Sequence, residues 1–216
     1  MPQSIAISIE KNYYEQSSAY DITRMFDVII GLIGLMIFSP LLLLIALTIK
    51  ISSKGPVIFA QKRVGKNNTD FTLYKFRTMC VHNDESRSLT VGKNDNRITR
   101  VGSFLRRYKL DELPQLYNVL KNEMSIVGPR PEVRRYVDFY TSEQCEILFL
   151  KPGITDYASI LFRNENELLA VQPDFEQYYI ERIMPVKIRL NARYKNDRSL
   201  KNYFIIIFKT ICSIFK

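Results

Sequence analysis

The longest apolar stretch of the chain covers residues 28–49, which are 22 residues without a charge. A straight helix needs about 20 apolar residues to cross the bilayer core, so this stretch predicts a membrane helix. Pro40 follows Ser39 near its middle. A proline removes a backbone donor and bends a helix, and a serine hydroxyl can bond to a carbonyl freed there. We therefore expect a kink at Ser39 and Pro40.

Three arrangements of this helix fit the pattern: a re-entrant pair of arms, a kinked helix that crosses the membrane, and a helix buried in a soluble protein. Basic residues flank both ends, with Arg24 before the stretch and Lys50 after it. A crossing helix usually has its basic excess on one side. We therefore favour a re-entrant helix over residues 21–51, after an N-terminal segment of residues 1–20. A signal peptide is excluded, because no small-residue cleavage site precedes Lys50.

The remaining chain has the patterns of an α+β fold, a mostly helical cytosolic catalytic domain over residues 52–202 with a small β-hairpin. Period-two alternation predicts strands at 57–61 and 71–76 around a turn. Helical spacing predicts helices at 98–108, from 111 onward, at 132–149, and at 174–194 with a break at Pro185. Residues 203–216 are apolar but too short to span a bilayer, so they predict a C-terminal interfacial helix.

Charge and composition narrow the chemistry. The net charge is +9 and 46% of the residues are hydrophobic, which favours a folded protein with an anionic partner: nucleic acid, acidic lipid or a phosphorylated small molecule. Cys80, Cys145 and Cys212 form no CxxC pattern, and the single histidine, His82, lies in the polar segment 82–96. These residues therefore predict reduced thiols and no metal site built on histidine or cysteine.

Two positions carry the candidate chemistry. Arg130 stands between Pro129 and Pro131, and an arginine in a rigid loop suits bidentate binding of phosphate oxygens. Asp111 and Glu112 form an adjacent acidic pair in a basic region. Such a pair can merely cap a helix and offset its dipole. Alternatively, an ionised carboxylate there can bind Mg²⁺ or attack phosphorus as a nucleophile.

Several motifs in order resemble the bacterial sugar transferase family, the monotopic phosphoglycosyl transferases. They are KFRTM at 75–79, RITRVGSFLRR at 97–107, LDELPQL at 110–116, NVLK at 118–121, SIVGPRPE at 125–132 and KPGIT at 151–155. The resemblance runs from about residue 24 to the C-terminus. It implies transfer of a sugar-1-phosphate from a UDP-sugar to a polyprenyl phosphate such as undecaprenyl phosphate. The products would be UMP and a polyprenyl diphosphate sugar, in the first membrane step of surface glycan or glycoprotein assembly.

The resemblance also implies roles for individual residues. Asp111 would be the nucleophile that forms a phosphosugar–enzyme intermediate and would bind Mg²⁺, and Glu112 would assist it. Phosphate and substrate binding would fall to the residues that match the basic motifs, namely Lys75, Arg77, Arg107, Pro129, Arg130 and Pro131. The Ser39–Pro40 pair matches the family's membrane-helix bend.

The same resemblance implies a monotopic protein of the bacterial cytoplasmic (inner) membrane with its catalytic domain on the cytoplasmic face. It implies no nucleic-acid partner and is compatible with a homodimer. One stretch departs from many members, the segment DYASI at 156–160 followed by RNENE at 163–167, so the sugar stays open. Rival functions are a non-catalytic basic protein of the membrane surface, a nucleic-acid-binding protein, and a transferase that forms no covalent intermediate.

Overall fold

The computed structural model describes residues 3–80 and 97–214, with side chains from residue 22 onward. His82 and the polar segment 82–96 lie outside the described residues. Within them the chain is mostly helical, with two small two-stranded sheets and one long apolar helix near the N-terminus. The mixed helical fold class predicted from the sequence is confirmed at this level.

The long helix α1 extends over Gln3–Ser52 and is continuous through Pro40. It therefore begins well before residue 21, where we expected a helix to start. Its part Ile22–Ser52 is long and apolar enough to cross a membrane, and only 17% of its most apolar window is buried. Apolar side chains such as Met36 and Ile51 are largely exposed. Whether this helix crosses a membrane or re-enters stays a prediction.

Ser39 repairs the gap that Pro40 leaves in the helix. In an α-helix the carbonyl of residue 36 would accept from the N–H of residue 40, and proline has no such donor. The Ser39 hydroxyl donates to the Met36 carbonyl oxygen at 2.8 Å. The hydrogen bond expected from the Ser-Pro pair is thus present, and it satisfies the backbone acceptor that the proline orphans.

Polar side chains dock α1 against the rest of the protein. The Arg24 guanidinium donates to the carbonyls of Val119 (2.7 Å) and Leu120 (3.3 Å). The buried Asp27 carboxylate accepts from the Ile126 amide (2.8 Å) and the Tyr203 hydroxyl (2.9 Å). These bonds join the membrane-candidate helix to three separate elements and hold it in one orientation.

The predicted hairpin is present. Strand β1, Ile58–Val64, pairs antiparallel with β2, Asp70–Phe76, and Ile58 lies opposite Phe76. A 3₁₀ turn, Lys66–Asn68, joins them, with positive φ at Asn67 and Asn68. Asparagine tolerates that conformation better than most residues. β1 is longer than the strand predicted at 57–61, since Lys62 and Arg63 continue the ladder.

Helix α2, Arg100–Arg107, confirms the core of the helix predicted at 98–108, and α3 follows at Gln115–Leu120. The Thr99 side chain caps α2 by accepting from the Gly102 amide. Gly102 is required there, because a Cβ would lie 2.0 Å from the Thr78 carbonyl oxygen. α2 therefore packs directly on the backbone that follows β2.

The single helix predicted at 132–149 is wrong. The structure has the short helix α4, Arg134–Val137, and a 3₁₀ helix, Gln144–Phe149. Between them, the Thr141 amide donates to the Gln144 side chain at 3.0 Å, while the Gln144 amide donates to the Thr141 hydroxyl at 3.2 Å. This reciprocal pair is a capping box, so it ends one helical segment and begins another.

The sequence patterns also missed a second sheet, in which β3, Ser125–Val127, pairs parallel with β4, Gly153–Thr155. The remaining elements are α5 (Tyr157–Leu161), α6 (Glu165–Ala170), α7 (Phe175–Tyr178), a π-helical turn (Tyr179–Ile183), α8 (Met184–Asn196) and α9 (Leu200–Ile214). The break expected at Pro185 is wrong: the chain stays helical from Phe175 to Asn196, the irregularity is the π-helical turn before it, and Pro185 lies in the first turn of α8. α9 contains the described part of the predicted C-terminal helix.

The main core joins α1 to the hairpin, α3, β3 and α9. Its fully buried members include Val119, Met124, Tyr203 and Ile206, and Phe26, Ile30 and Leu35 of α1 pack against them. Burying side chains of this size contributes about 1.5–3 kcal/mol each. The part of α1 from Phe26 to Leu35 therefore belongs to the same core as the elements that carry the candidate site.

Candidate functional site

The acidic pair lies in a tight turn between α2 and α3. Lys109 adopts a left-handed conformation (φ 58°), and Leu110–Glu112 form one 3₁₀ turn in which Asp111 and Glu112 are both buried. Capping, the structural alternative for Asp111, does not apply to α3, because α3 begins at Gln115 and has no side-chain cap. The carboxylates are therefore held in the interior without serving a helix end.

Glu112 is bound by two cations. The Arg130 guanidinium donates to it with both terminal nitrogens: Nη1 lies 3.2 Å from Oε2 and Nη2 lies 2.5 Å from Oε1. The Lys75 ammonium lies 3.4 Å from Oε1. Burial alone would raise the pKa of Glu112, but the charges of Arg130 and Lys75 outweigh it and hold that pKa well below its usual range. Glu112 is therefore ionised and acts as an anchor for both cations.

Asp111 is in the opposite situation. Its Oδ1 atom is buried and has no hydrogen-bond partner among the described residues. Burial, and then the charge of Glu112, raise the pKa of Asp111, while Lys75 and Lys109 oppose that shift. Two adjacent carboxylates thus have pKa values that are shifted apart, a pattern typical of groups with separate chemical roles. Of the two acids, Asp111 is the one with a carboxylate oxygen that no described residue contacts by a hydrogen bond.

The parallel sheet β3–β4 fixes the Pro129–Pro131 loop. The Gly128 amide donates to the Thr155 carbonyl and the Gly153 amide donates to the Pro129 carbonyl, each at 3.0 Å. A Cβ on Gly153 would lie 2.1 Å from the Gly128 nitrogen, so the two strands approach at a distance that only glycine permits. The loop that carries Arg130 is therefore restricted both by its two prolines and by the hydrogen bonds of the sheet.

Asp156 is a site-supporting residue that we did not single out from the sequence as one. It is buried, and its carboxylate accepts from the amide of Arg130 (3.1 Å) and from the amide of Ser159 at the start of α5 (2.5 Å). The acid directly before a helix is a typical N-cap signal, and that signal could have located it. It belongs to the stretch 156–160, which departs from many members of the family that the sequence resembles.

Two predicted basic residues, Lys75 in β2 and Arg77 directly after it, separate in the structure. Lys75 joins the acidic pair, but the Arg77 side chain is buried at the C-terminal end of α1. There it donates to the carbonyls of Ser53 (2.8 Å) and Pro56 and to the Ser53 hydroxyl (2.9 Å). Arg77 therefore stabilises the junction between α1 and β1 and is not brought to the site.

Arg107 is likewise not brought to Asp111. It is exposed on α2, with its guanidinium 5.6 Å from the centre of the Tyr108 ring. The preceding residue, Arg106, is close enough that its charge lowers the pKa of Asp111, and its Nε donates to the Thr78 hydroxyl at 2.9 Å. The two adjacent arginines lie on different sides of the helix, which motif matching alone does not show.

Known proteins are similar to this chain over most of its length. The family model described as bacterial sugar transferase matches residues 18–216. A UDP-N-acetylgalactosamine-undecaprenyl-phosphate N-acetylgalactosaminephosphotransferase from Aeromonas hydrophila is 38% identical over 89% of this chain and 43% of its own length. A UDP-glucose:undecaprenyl-phosphate glucose-1-phosphate transferase from Xanthomonas campestris pv. campestris is 43% identical over 77% of this chain and 36% of its own.

The exopolysaccharide production protein ExoY from Rhizobium meliloti is 34% identical over 88% of this chain and 84% of its own length. This chain thus spans less than half of the first two relatives and most of the third. The similar region includes the acidic pair and the Arg130 loop in its family-model match.

Proposed function

Because the chain belongs to the bacterial sugar transferase family, we propose that it transfers a sugar-1-phosphate from a UDP-sugar to undecaprenyl phosphate and releases UMP. The observation that carries this proposal is the buried pair Asp111 and Glu112, in which one carboxylate is locked by Arg130 and Lys75 and the other has an unpartnered oxygen. The named relatives are sugar-phosphate transferases that use undecaprenyl phosphate, which supports the substrate class.

The proposed chemistry has two steps at one phosphorus atom. A carboxylate oxygen of Asp111 attacks the phosphorus that bears the sugar, the diphosphate bridge breaks, and UMP leaves with the bridging oxygen. An oxygen of undecaprenyl phosphate then attacks the same phosphorus and releases Asp111. Arg130 and Lys75 stabilise the negative charge on the phosphate oxygens in both steps. Cations held in fixed positions are the main way in which proteins stabilise phosphoryl-transfer transition states.

The donor set of the site also suits Mg²⁺. Among the described residues no three histidine, cysteine, aspartate or glutamate side chains cluster into a metal cage. Mg²⁺ is commonly held by one or two carboxylates together with substrate phosphates and water, and the unpartnered Oδ1 of Asp111 is such a donor. Asp111 would hold the ion, which would neutralise charge on the donor diphosphate.

We also propose that α1 re-enters the cytoplasmic membrane and returns on the cytoplasmic side. Many of its apolar side chains are exposed, among them Met36, Leu43 and Ile51, and the same helix is fixed to the catalytic core by Arg24 and Asp27. This arrangement puts the site at the level of the lipid phosphate. In sealed cells, tags on both termini should resist an external protease; cleavage of one tag, at either terminus, would indicate a crossing helix.

Intact mass after incubation with Mg²⁺ and a panel of UDP-sugars, without lipid, tests the mechanism. We expect a phosphosugar-sized increase with one donor, absent in Asp111→Asn. UMP release on adding undecaprenyl phosphate, with no adduct and sequential kinetics, would indicate direct transfer. Absence of Mg²⁺-dependent UMP release with every donor would contradict the enzymatic function and leave a basic membrane-surface or nucleic-acid-binding protein.

A further inference from the structure

A second polar feature lies beside the site, between the Arg130 loop and α8. It is a cavity lined on one wall by Arg130 and Glu132 and on the other by Lys187, Ile188 and Asn191. Water-sized spheres can occupy about 40 Å³ of it. That is room for about three water molecules, which is the size of a small substituent and far below that of a whole hexose.

Asn191 is the unusual residue of this cavity. It is 5% exposed, and its Oδ1 atom has no hydrogen-bond partner among the described residues. A buried acceptor without a donor is costly, so such a group calls for a bound partner such as a ligand or a water molecule. Asn191 follows Lys187 by four residues on α8, and this spacing puts both side chains on one face of the helix.

Lys187 supplies a donor to the same wall. Its ammonium lies 2.8 Å from Glu165 Oε2, 3.4 Å from the Tyr179 hydroxyl oxygen and 3.9 Å from Glu132 Oε1. An ammonium group has three hydrogens to donate, and the two longer contacts can give way to a closer acceptor. Ile147 and Ile188 add apolar surface to the cavity. Together these residues offer one acceptor, one donor and an apolar contact within a volume of a few atoms.

An acylamino group matches that set, because it has an N–H, a carbonyl oxygen and a methyl group. We propose that the cavity is the subsite for the acylamino substituent of the donor sugar, with Asn191 Oδ1 accepting its N–H and Lys187 donating to its carbonyl. The inference rests on the proposed function. Arg130 makes the connection, because it both binds Glu112 and lines the cavity, so a sugar whose phosphate lies at Arg130 can extend a substituent past the loop.

The test is the ratio of kcat/KM for UDP-N-acetylhexosamines to kcat/KM for the matching UDP-hexoses, measured by UMP release in the gluco and galacto series. This ratio does not depend on the fraction of folded enzyme. A site built to hydrogen-bond an N–H strongly rejects analogues that lack it, so we expect a ratio of at least about 10 for the unmodified protein in one series. Asn191→Leu should lower it about tenfold or more, and Asn191→Asp, which keeps an acceptor, should retain most of it.

Asn196→Leu is the matched control, because Asn196 is exposed at the end of the same helix and should leave the ratio unchanged. A ratio near 1 in the unmodified protein, or no change in Asn191→Leu, would overturn the subsite. The ratio in the unmodified protein decides the question even if Asn191→Leu fails to fold. Absence of UMP release from every donor would instead contradict the proposed function itself.

Discussion

Arg77 and Arg130 both stand in motifs that suggest phosphate binding, but their guanidinium groups have different kinds of hydrogen-bond acceptor. Arg77 donates to backbone carbonyls at the end of α1, among them those of Ser53 and Pro56, whereas Arg130 donates to the carboxylate of Glu112. The first set of acceptors consists of neutral main-chain oxygens. The acceptor of Arg130 is the charged carboxylate of Glu112. Beside it lies Asp111, whose Oδ1 has no hydrogen-bond partner among the described residues and can therefore serve a bound ligand or cation.

The difference distinguishes a junction from a site. Helix C-termini leave carbonyls without partners, and a guanidinium with five fixed donors is well suited to satisfy several of them at once. At the Asp111–Glu112 turn, by contrast, Lys75 and Arg130 lie around two buried carboxylates. One oxygen of that pair, Asp111 Oδ1, has no hydrogen-bond partner among the described residues. A basic residue is therefore a candidate phosphate ligand only if its donors are not already used by the backbone.

Arg130→Lys should give the largest effect and tests the site half of this comparison. Lysine keeps the charge but loses the two-pronged contact, so we expect kcat/KM to fall about 100-fold. The free energy of unfolding should change by less than about 1 kcal/mol, because Glu112 keeps a cation on each side. Steady-state UMP release and thermal unfolding in detergent measure the two quantities.

The converse outcome for Arg130→Lys, intact turnover with marked destabilisation, would make Arg130 a structural residue like Arg77 and would remove it from the proposed mechanism.

Arg77→Lys tests the junction half with the same chemical change. The loss of the guanidinium fork removes charge-assisted hydrogen bonds to the carbonyls of Ser53 and Pro56, just after α1, so we expect the free energy of unfolding to fall by about 2 kcal/mol. The kcat of the protein that remains folded should stay within about twofold of the original, and active-site titration by the mass adduct corrects for the folded fraction. A 100-fold loss of kcat at unchanged stability would place Arg77 at the substrate after all.

Four residues that the sequence singled out lie together in the structure, whereas parts of the fold around them were not predicted. Asp111, Glu112, Lys75 and Arg130 were candidates from their chemistry or motifs, and the structure brings all four together. Arg77 and Arg107 carried the same motif signal but lie elsewhere, because motif membership does not report which way a side chain points. Arg77 stands just past the end of β2 and Arg107 on the exposed side of α2. The direction of each side chain depends on how these elements pack, which a motif does not encode.

The missed elements have physical reasons of the same kind. β3 and β4 have three residues each, too few to show an alternating pattern, and their pairing depends on the close approach of two distant glycines. The helix predicted at 132–149 failed because Thr141 and Gln144 offer the backbone a better local partner than the helix does. Long periodic segments such as α1 and the hairpin, by contrast, were apparent from the sequence.

Lys75 gives the smallest expected effect and sharpens the comparison, because it can lose its charge whereas Arg77 cannot. Burial is the main cause that lowers its pKa to about 8, against the opposing charge of Glu112. Above that pH the proposed phosphate site loses one cation, so kcat/KM should fall about tenfold per pH unit. Lys75→Arg should remove this alkaline limb, since a guanidinium stays protonated.

The stability contribution of Lys75 should change in the opposite direction. Between pH 8 and its ordinary pKa of 10.5, the unfolded chain binds more protons at this residue than the folded protein does. Its contribution to stability therefore rises with pH across that window, while activity falls. We expect thermal unfolding of the original protein, relative to Lys75→Arg, to move to higher temperature between pH 8 and 9.5. A parallel loss of activity and stability would instead indicate alkaline unfolding, and the limb would carry no information about the site.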